Sequence, residues 1–143
     1  MNINDKDERL IAVLRDKGRI SISDLARTLE VSRTSAQMRL EKLQRSGVIT
    51  GYGVRLSEKF LKNQVRALVM IKAPPVHRAS IEQALIKMTG LTALYSISGI
   101  YDLTSVISAR SVEELDGLID SIGNLEGVSD TMSSIILSTK VDR

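Results

Sequence analysis

At 143 residues the chain has room for one domain or two small ones, each able to bury only a modest core. The absence of cysteine excludes disulfides and thiolate metal sites, no apolar run reaches roughly 18 residues, and the charged start MNINDKDERL does not read as a signal peptide, so a cytoplasmic protein with no membrane segment is expected. The net charge of +3 is unevenly placed: through Lys62 there are 13 Lys or Arg against 8 Asp or Glu, and beyond it 7 against 9.

The first pattern in the chain is helical, with Leu10, Ile11 and Leu14 forming a buried stripe. Asp5, Asp7 and Glu8 fall in its first turn, where they suit the helix dipole, and Gly18 ends it. A second helix carries Leu25, Ala26 and Leu29 behind Ser21 and Ser23; either serine can cap it, and Ser21 with Asp24 matches a capping box. Glu30 and Val31 leave room only for a sharp corner, Ser32 can cap the next helix, and that helix buries Ala36, Leu40 and Leu43 before Gly47 stops it. Two short helices joined by a corner and followed by a glycine read as a helix-turn-helix.

The outer face of the helix after Ser32 carries Thr34, Gln37, Met38, Glu41 and Arg45, with Ser35 and Lys42 on one flank and Arg33 on the other. Hydroxyls, an amide and cations are the groups that meet base edges and phosphates in a major groove. Arg33, Arg39, Lys42 and Arg45 face a single acid, Glu41, which makes a phosphate footprint, although a solvated basic face has the same composition. Ser35 and Gln37, with Thr34 and Met38 beside them, are the candidates for base contacts, and the cations are expected to position the backbone.

After Gly47 the pattern turns β-like, with Val48, Ile49, Tyr52 and Val54 around Gly51 and Gly53, which predicts a strand or short wing and then a linker through Gln64. The remainder alternates in type: a strand over Val65–Lys72, a helix over Arg78–Met88, strands over Thr92–Ser98 and Asp102–Ser108, a helix over Ser111–Ile122 with Val112, Leu115, Leu118, Ile119 and Ile122 inward, and a strand over Val128–Leu137. The order β-α-β-β-α-β predicts a ferredoxin-like sandwich, so the expected class is α+β, a winged-helix-like helix-turn-helix followed by that sandwich. Two helices cover one face of such a sheet. The first strand has Leu68 and Met70 on one side and Val69 and Ile71 on the other, so an apolar face is left for a second copy, and paired reading heads suit a palindromic site.

These residues resemble the Lrp/AsnC, or feast/famine, family of transcriptional regulators over essentially the whole chain. The amino-terminal motifs are Asp5 and Asp7, Gly18-Arg19-Ile20-Ser21, Leu25-Ala26, Ser32, Arg39, Leu43, Gly47-Val48-Ile49 and Gly51-Tyr52; the later ones are the G-x-x-D loop Gly99-Ile100-Tyr101-Asp102 behind Ser98, and Gly127-Val128, Thr131, Ser133 and Ile135-Ile136-Leu137. Glu30 stands where the family often has glycine, and Ser133 replaces a second threonine. The resemblance implies a helix-turn-helix domain over 1–50, a strand and linker over 51–64, and an effector-binding and oligomerisation domain over 65–143. It also implies a dimer joined through the sheets, a larger ring such as an octamer, and a small effector, typically an amino acid, bound between dimers near the G-x-x-D loop.

The candidate effector residues are thus Ser98, Gly99, Ile100, Tyr101, Asp102, Thr131 and Ser133. Elementary chemistry agrees, because free N–H groups in a tight turn can hold a carboxylate and an aspartate can hold an ammonium. A turn aspartate that caps its own loop, and cross-strand hydrogen bonds of the two hydroxyls, are the simpler roles for the same residues. An enzyme is disfavoured: the only histidine, His77, is expected in a loop beside Pro74-Pro75, and no cluster of acids and bases accompanies it. The expectation is an effector-responsive, sequence-specific regulator of transcription, associated with double-stranded DNA in the nucleoid and needing neither cofactor nor metal. The alternative is an architectural protein that coats DNA with little site choice.

Overall fold

The computed structural model describes residues 2–142; Met1 and Arg143, the outer bounds of the two expected domains, lie outside the described residues. The chain forms two compact units, the first reaching Arg55 and the second running from Leu56 to Asp142.

Asn4 opens the first helix, α1 (Asp5–Asp16), with a complete capping box. The Asp7 N–H donates to the Asn4 side chain at 3.0 Å, and the Asn4 N–H donates back to the Asp7 carboxylate at 3.3 Å. At α2 (Ile22–Leu29) only half of the expected box forms: Ser21 accepts the Asp24 N–H at 3.1 Å, while the Asp24 carboxylate pairs with Arg27 at 3.0 Å. The following corner turns on Glu30, at φ 55° and ψ 44°, a left-handed conformation that costs a residue with a Cβ about 1 kcal/mol. Ser32 caps α3 (Arg33–Arg45), and past its end Gly47 at φ 73° lets the Val48 and Ile49 N–H groups both reach the Leu43 carbonyl at 3.0 Å. Leu10, Leu25, Ala26, Leu29, Ala36 and Leu43 form the shared core of the three helices.

The strand expected around Gly51 and Gly53 does not form, and residues 51–57 carry neither strand nor helix. An isolated segment has no ladder partner, so β propensity alone cannot order it. Side chains tie it down instead: the Gln44 amide donates to the Tyr52 hydroxyl at 2.8 Å, and Arg55 donates to the Asp16 carbonyl at 2.8 Å. The expected linker also contains one helical turn, α4 (Glu58–Leu61), capped by Ser57.

The second unit has the elements β1 (Val65–Lys72), α5 (Pro75–Ile86), β2 (Leu91–Ser96), β3 (Leu103–Ala109), α6 (Val112–Gly123) and β4 (Asp130–Ile135). Its four strands lie in the order β2-β3-β1-β4, every neighbour antiparallel, which is the ferredoxin-like arrangement of an α+β sandwich. Ala67, Val69 and Ile71 of β1 are buried with Ile81 and Leu85 of α5 and Leu115 and Ile122 of α6. The opposite face presents Leu68, Tyr95 and Met132, which are 36%, 58% and 49% exposed.

Two expectations are corrected here. Pro75 begins α5 three residues earlier than Arg78, since a proline in the first turn loses no helical hydrogen bond, and this places His77 in the helix rather than in a loop. His77 is half-buried against Gly127, whose φ of 91° suits glycine and where a Cβ would collide with the His77 side chain. Val112 is 67% exposed rather than inward, because as the first residue of α6 it precedes the turn that meets the sheet.

Candidate functional site

In the first unit the outer face of α3 borders an open groove of about 500 Å³. Thr34, Ser35, Met38, Arg39, Lys42 and Arg45 line it, together with the capping residue Ser32. Six of the eight residues expected to meet DNA are therefore brought together. Arg33 and Gln37 are not among the lining residues; Gln37 lies one helical flank away, where its amide donates to Glu41 at 3.2 Å. Glu41 also pairs with Arg45 at 3.6 Å, so the one acid on this face is held by two neighbours.

The residue that sequence reasoning missed is Asp7. It is 0% exposed, and its carboxylate accepts from Arg39 at 3.0 Å and from Lys42 at 3.4 Å, joining α1 to α3. Burial raises the pKa of this carboxyl, but the Asn4 N–H and the two cations outweigh it and hold the group below the usual carboxylate range. The Arg39 side chain is 24% exposed and turned inward to Asp7, whereas that of Lys42 is 55% exposed and keeps access to the groove. A signal was present in the sequence: Asp7 precedes Leu10 and Leu14 by three and seven residues, the spacing of the buried stripe.

A larger groove in the same unit, about 1130 Å³, lies between residues 17–28 and 52–55 and carries Lys17, Arg19, Tyr52 and Arg55.

In the second unit Asp102 is knitted into the fold. One carboxylate oxygen accepts the Ala73 N–H at 2.8 Å and the other accepts from Arg78 at 2.9 Å, while Arg78 also donates to the Ala73 carbonyl. The Asp102 N–H reaches the Ile71 carbonyl at 3.0 Å, and Thr131 of β4 is paired with that same Ile71. Asp102 and Thr131 thus flank one end of β1. Ser98, Gly99, Ile100 and Tyr101 follow β2, which β3 and β1 separate from β4 and its Thr131 and Ser133. Gly99 has φ 136° with open space where a Cβ would stand, so its backbone conformation, rather than a close approach within this chain, calls for glycine. Ile100 beside it is 79% exposed.

Among the described residues no group of three or more His, Cys, Asp or Glu is placed to hold a metal ion, and no helix is long and apolar enough to cross a membrane.

Residues 3–50 match the winged helix-turn-helix DNA-binding family, and residues 66–143, more than half of the chain, match the Lrp/AsnC ligand binding domain. The chain belongs to the Lrp/AsnC family. It is 30% identical over 137 residues to the HTH-type transcriptional regulator LysM of Sulfurisphaera tokodaii, covering 95% of this chain and 96% of that one. It is likewise 30% identical over 139 residues to LysM of Saccharolobus solfataricus, covering 96% of each. Among solved structures it resembles E. coli AsnC, with a TM-score of 0.86 and 25% identity over 100% of this chain and 97% of that one. A Neisseria meningitidis regulator in complex with L-Met superposes with a TM-score of 0.88 at 18% identity, over 99% and 94% of the two chains, and shares the fold. The Lrp/AsnC chain described here is accordingly a transcriptional regulator with a DNA-binding helix-turn-helix and a ligand-binding domain, and not an enzyme.

Proposed function

We propose that the first unit reads double-stranded DNA with α3 and that the second unit assembles the protein and sets its DNA affinity through a small effector, an amino acid. The observation that carries this reading is the groove beside α3, where hydroxyls, an exposed methionine and two partly free cations share one face. Thr34, Ser35 and Met38 meet base edges, Gln37 joins them when it leaves Glu41, and Arg33, Lys42 and Arg45 hold phosphates. Arg39 acts through Asp7, fixing the helix that carries the others.

Association runs through the open sheet face of Leu68, Tyr95 and Met132, and the dimer so formed assembles further into a ring such as an octamer. The topology supports an effector site shared between copies: Ser98, Gly99, Ile100 and Tyr101 follow the edge strand β2 while Thr131 and Ser133 lie on the opposite edge strand β4, so they meet when the loop of one copy faces β4 of another. Backbone N–H groups at Gly99, Ile100 and Tyr101 receive the carboxylate of the amino acid. Asp102, with both oxygens engaged, reaches an ammonium only where a lone pair remains beside Arg78. The L-Met bound by the Neisseria regulator supports an amino acid as the ligand class. Such a protein works in the cytoplasm on the nucleoid.

Selection of preferred sequences from random duplexes, followed by footprinting with and without each common amino acid, tests the reading. A defined site whose protection changes with one amino acid is the expected result. Uniform coating of all sequences, unchanged by every amino acid, supports the architectural alternative instead.

A further inference from the structure

Met38 is 64% exposed, while Ala36 and Leu43 of the same helix are buried and Leu40 packs against the core. Single exposed apolar residues are ordinary on protein surfaces. What sets this one apart is its position, midway along a groove with Thr34 and Ser35 before it and Lys42 and Arg45 after it. The hydroxyls of Thr34 and Ser35 make no hydrogen bond among the described residues, and Glu41 is held aside by Gln37 and Arg45. The polar groups on this face can thus turn to a ligand, and the apolar group among them needs an apolar match.

A major groove supplies only one. Base edges there present nitrogen and oxygen donors and acceptors, with the C5 methyl of thymine as the single hydrocarbon group. A methionine side chain is unbranched and polarisable, with three rotatable bonds, so it reaches past its own helix and adapts to a methyl group. We propose that Met38 is a specificity-determining residue that recognises the C5 methyl of a thymine in the target site. The inference rests on the reading that α3 enters the major groove, and it names what one of its side chains discriminates.

The test uses the full chain and its preferred duplex, in which each thymine in turn is replaced by deoxyuridine, a change that removes the methyl and nothing else. Loss of one buried methyl contact corresponds to about fourfold in affinity, and that loss is expected at one thymine, or at its symmetry mate as well. Met38→Ala should bind the thymine duplex more weakly and bind thymine and deoxyuridine duplexes alike, while Met38→Leu should keep part of the discrimination. Because Met38 is exposed, both variants should keep the helical circular dichroism of the parent. Indifference of the parent to every replacement, or an unchanged deoxyuridine penalty in Met38→Ala, overturns the inference and leaves DNA reading by α3 in place. A selection that returns no preferred sequence overturns both.

Discussion

Each candidate site is organised around an aspartate, and the two carboxylates are held in different surroundings. Asp7 is wholly buried between α1 and α3 and faces two cations; the Asp102 side chain keeps 30% of its surface and faces one cation and one backbone N–H. A buried charge that loses its partners costs far more than an exposed one, so breaking the first contact should cost more than breaking the second. That difference suits the proposed division of labour between a reading head of constant shape and an effector site that responds to a ligand.

The largest effect is expected at Asp7. Asp7→Ala removes the carboxylate that pairs with Arg39 and Lys42, leaving Arg39 only its contact to the Asn4 side chain, and removes one half of the α1 capping box, which should destabilise the first unit by about 3 kcal/mol in urea unfolding followed by circular dichroism. Its pKa is lowered in the folded state, so the stability it contributes is present above the unfolded value of about 3.9 and is lost as pH falls through the folded one. Acid titration of Asp7→Asn should lack that component. A variant as stable and as acid-sensitive as the parent would mean that the buried pair contributes nothing.

A middle-sized effect separates two roles for Asp102. If it clasps the loop through Arg78, then Asp102→Ala and Arg78→Ala should weaken effector binding by a similar factor, about 1–2 kcal/mol each, with the double variant little worse than either. If it holds the effector's ammonium directly, Asp102→Ala should lose far more than Arg78→Ala. Calorimetry with the amino acid that binds distinguishes the two outcomes.

The smallest effect is expected at Lys42, whose ammonium is shared between Asp7 and the groove. Lys42→Ala should weaken binding to preferred and random duplexes alike, by about 1 kcal/mol, and flatten the salt dependence by about one unit. A loss confined to the preferred duplex would assign Lys42 to base reading.

The same contrast explains what was legible in the sequence. The α3 stripe of Ala36, Leu40 and Leu43, the caps at Ser21 and Ser32, and the β-α-β-β-α-β order are local patterns, and the structure carries them. The Asp7 pairs join residues 32 and 35 positions apart, and the Asp102 contact to Arg78 spans 24, so periodicity alone could not reveal them. The segment after Gly47 has the composition of a strand but no strand forms there, because a strand also needs a partner. The pair Pro74-Pro75 has the composition of a loop, yet Pro75 starts a helix and so carries His77 into α5.

In the proposed function, ligand binding in the second unit changes how tightly the first unit holds DNA. The direct measurement is a titration of the full chain with its preferred duplex in the absence and presence of each common amino acid, paired with calorimetric titration of the effective amino acid in the absence and presence of that duplex. Coupling of about 1–3 kcal/mol predicts that one amino acid shifts DNA affinity by roughly 5- to 150-fold and that DNA shifts the affinity for that amino acid by the same factor. An amino acid that binds while DNA affinity stays constant would contradict the account.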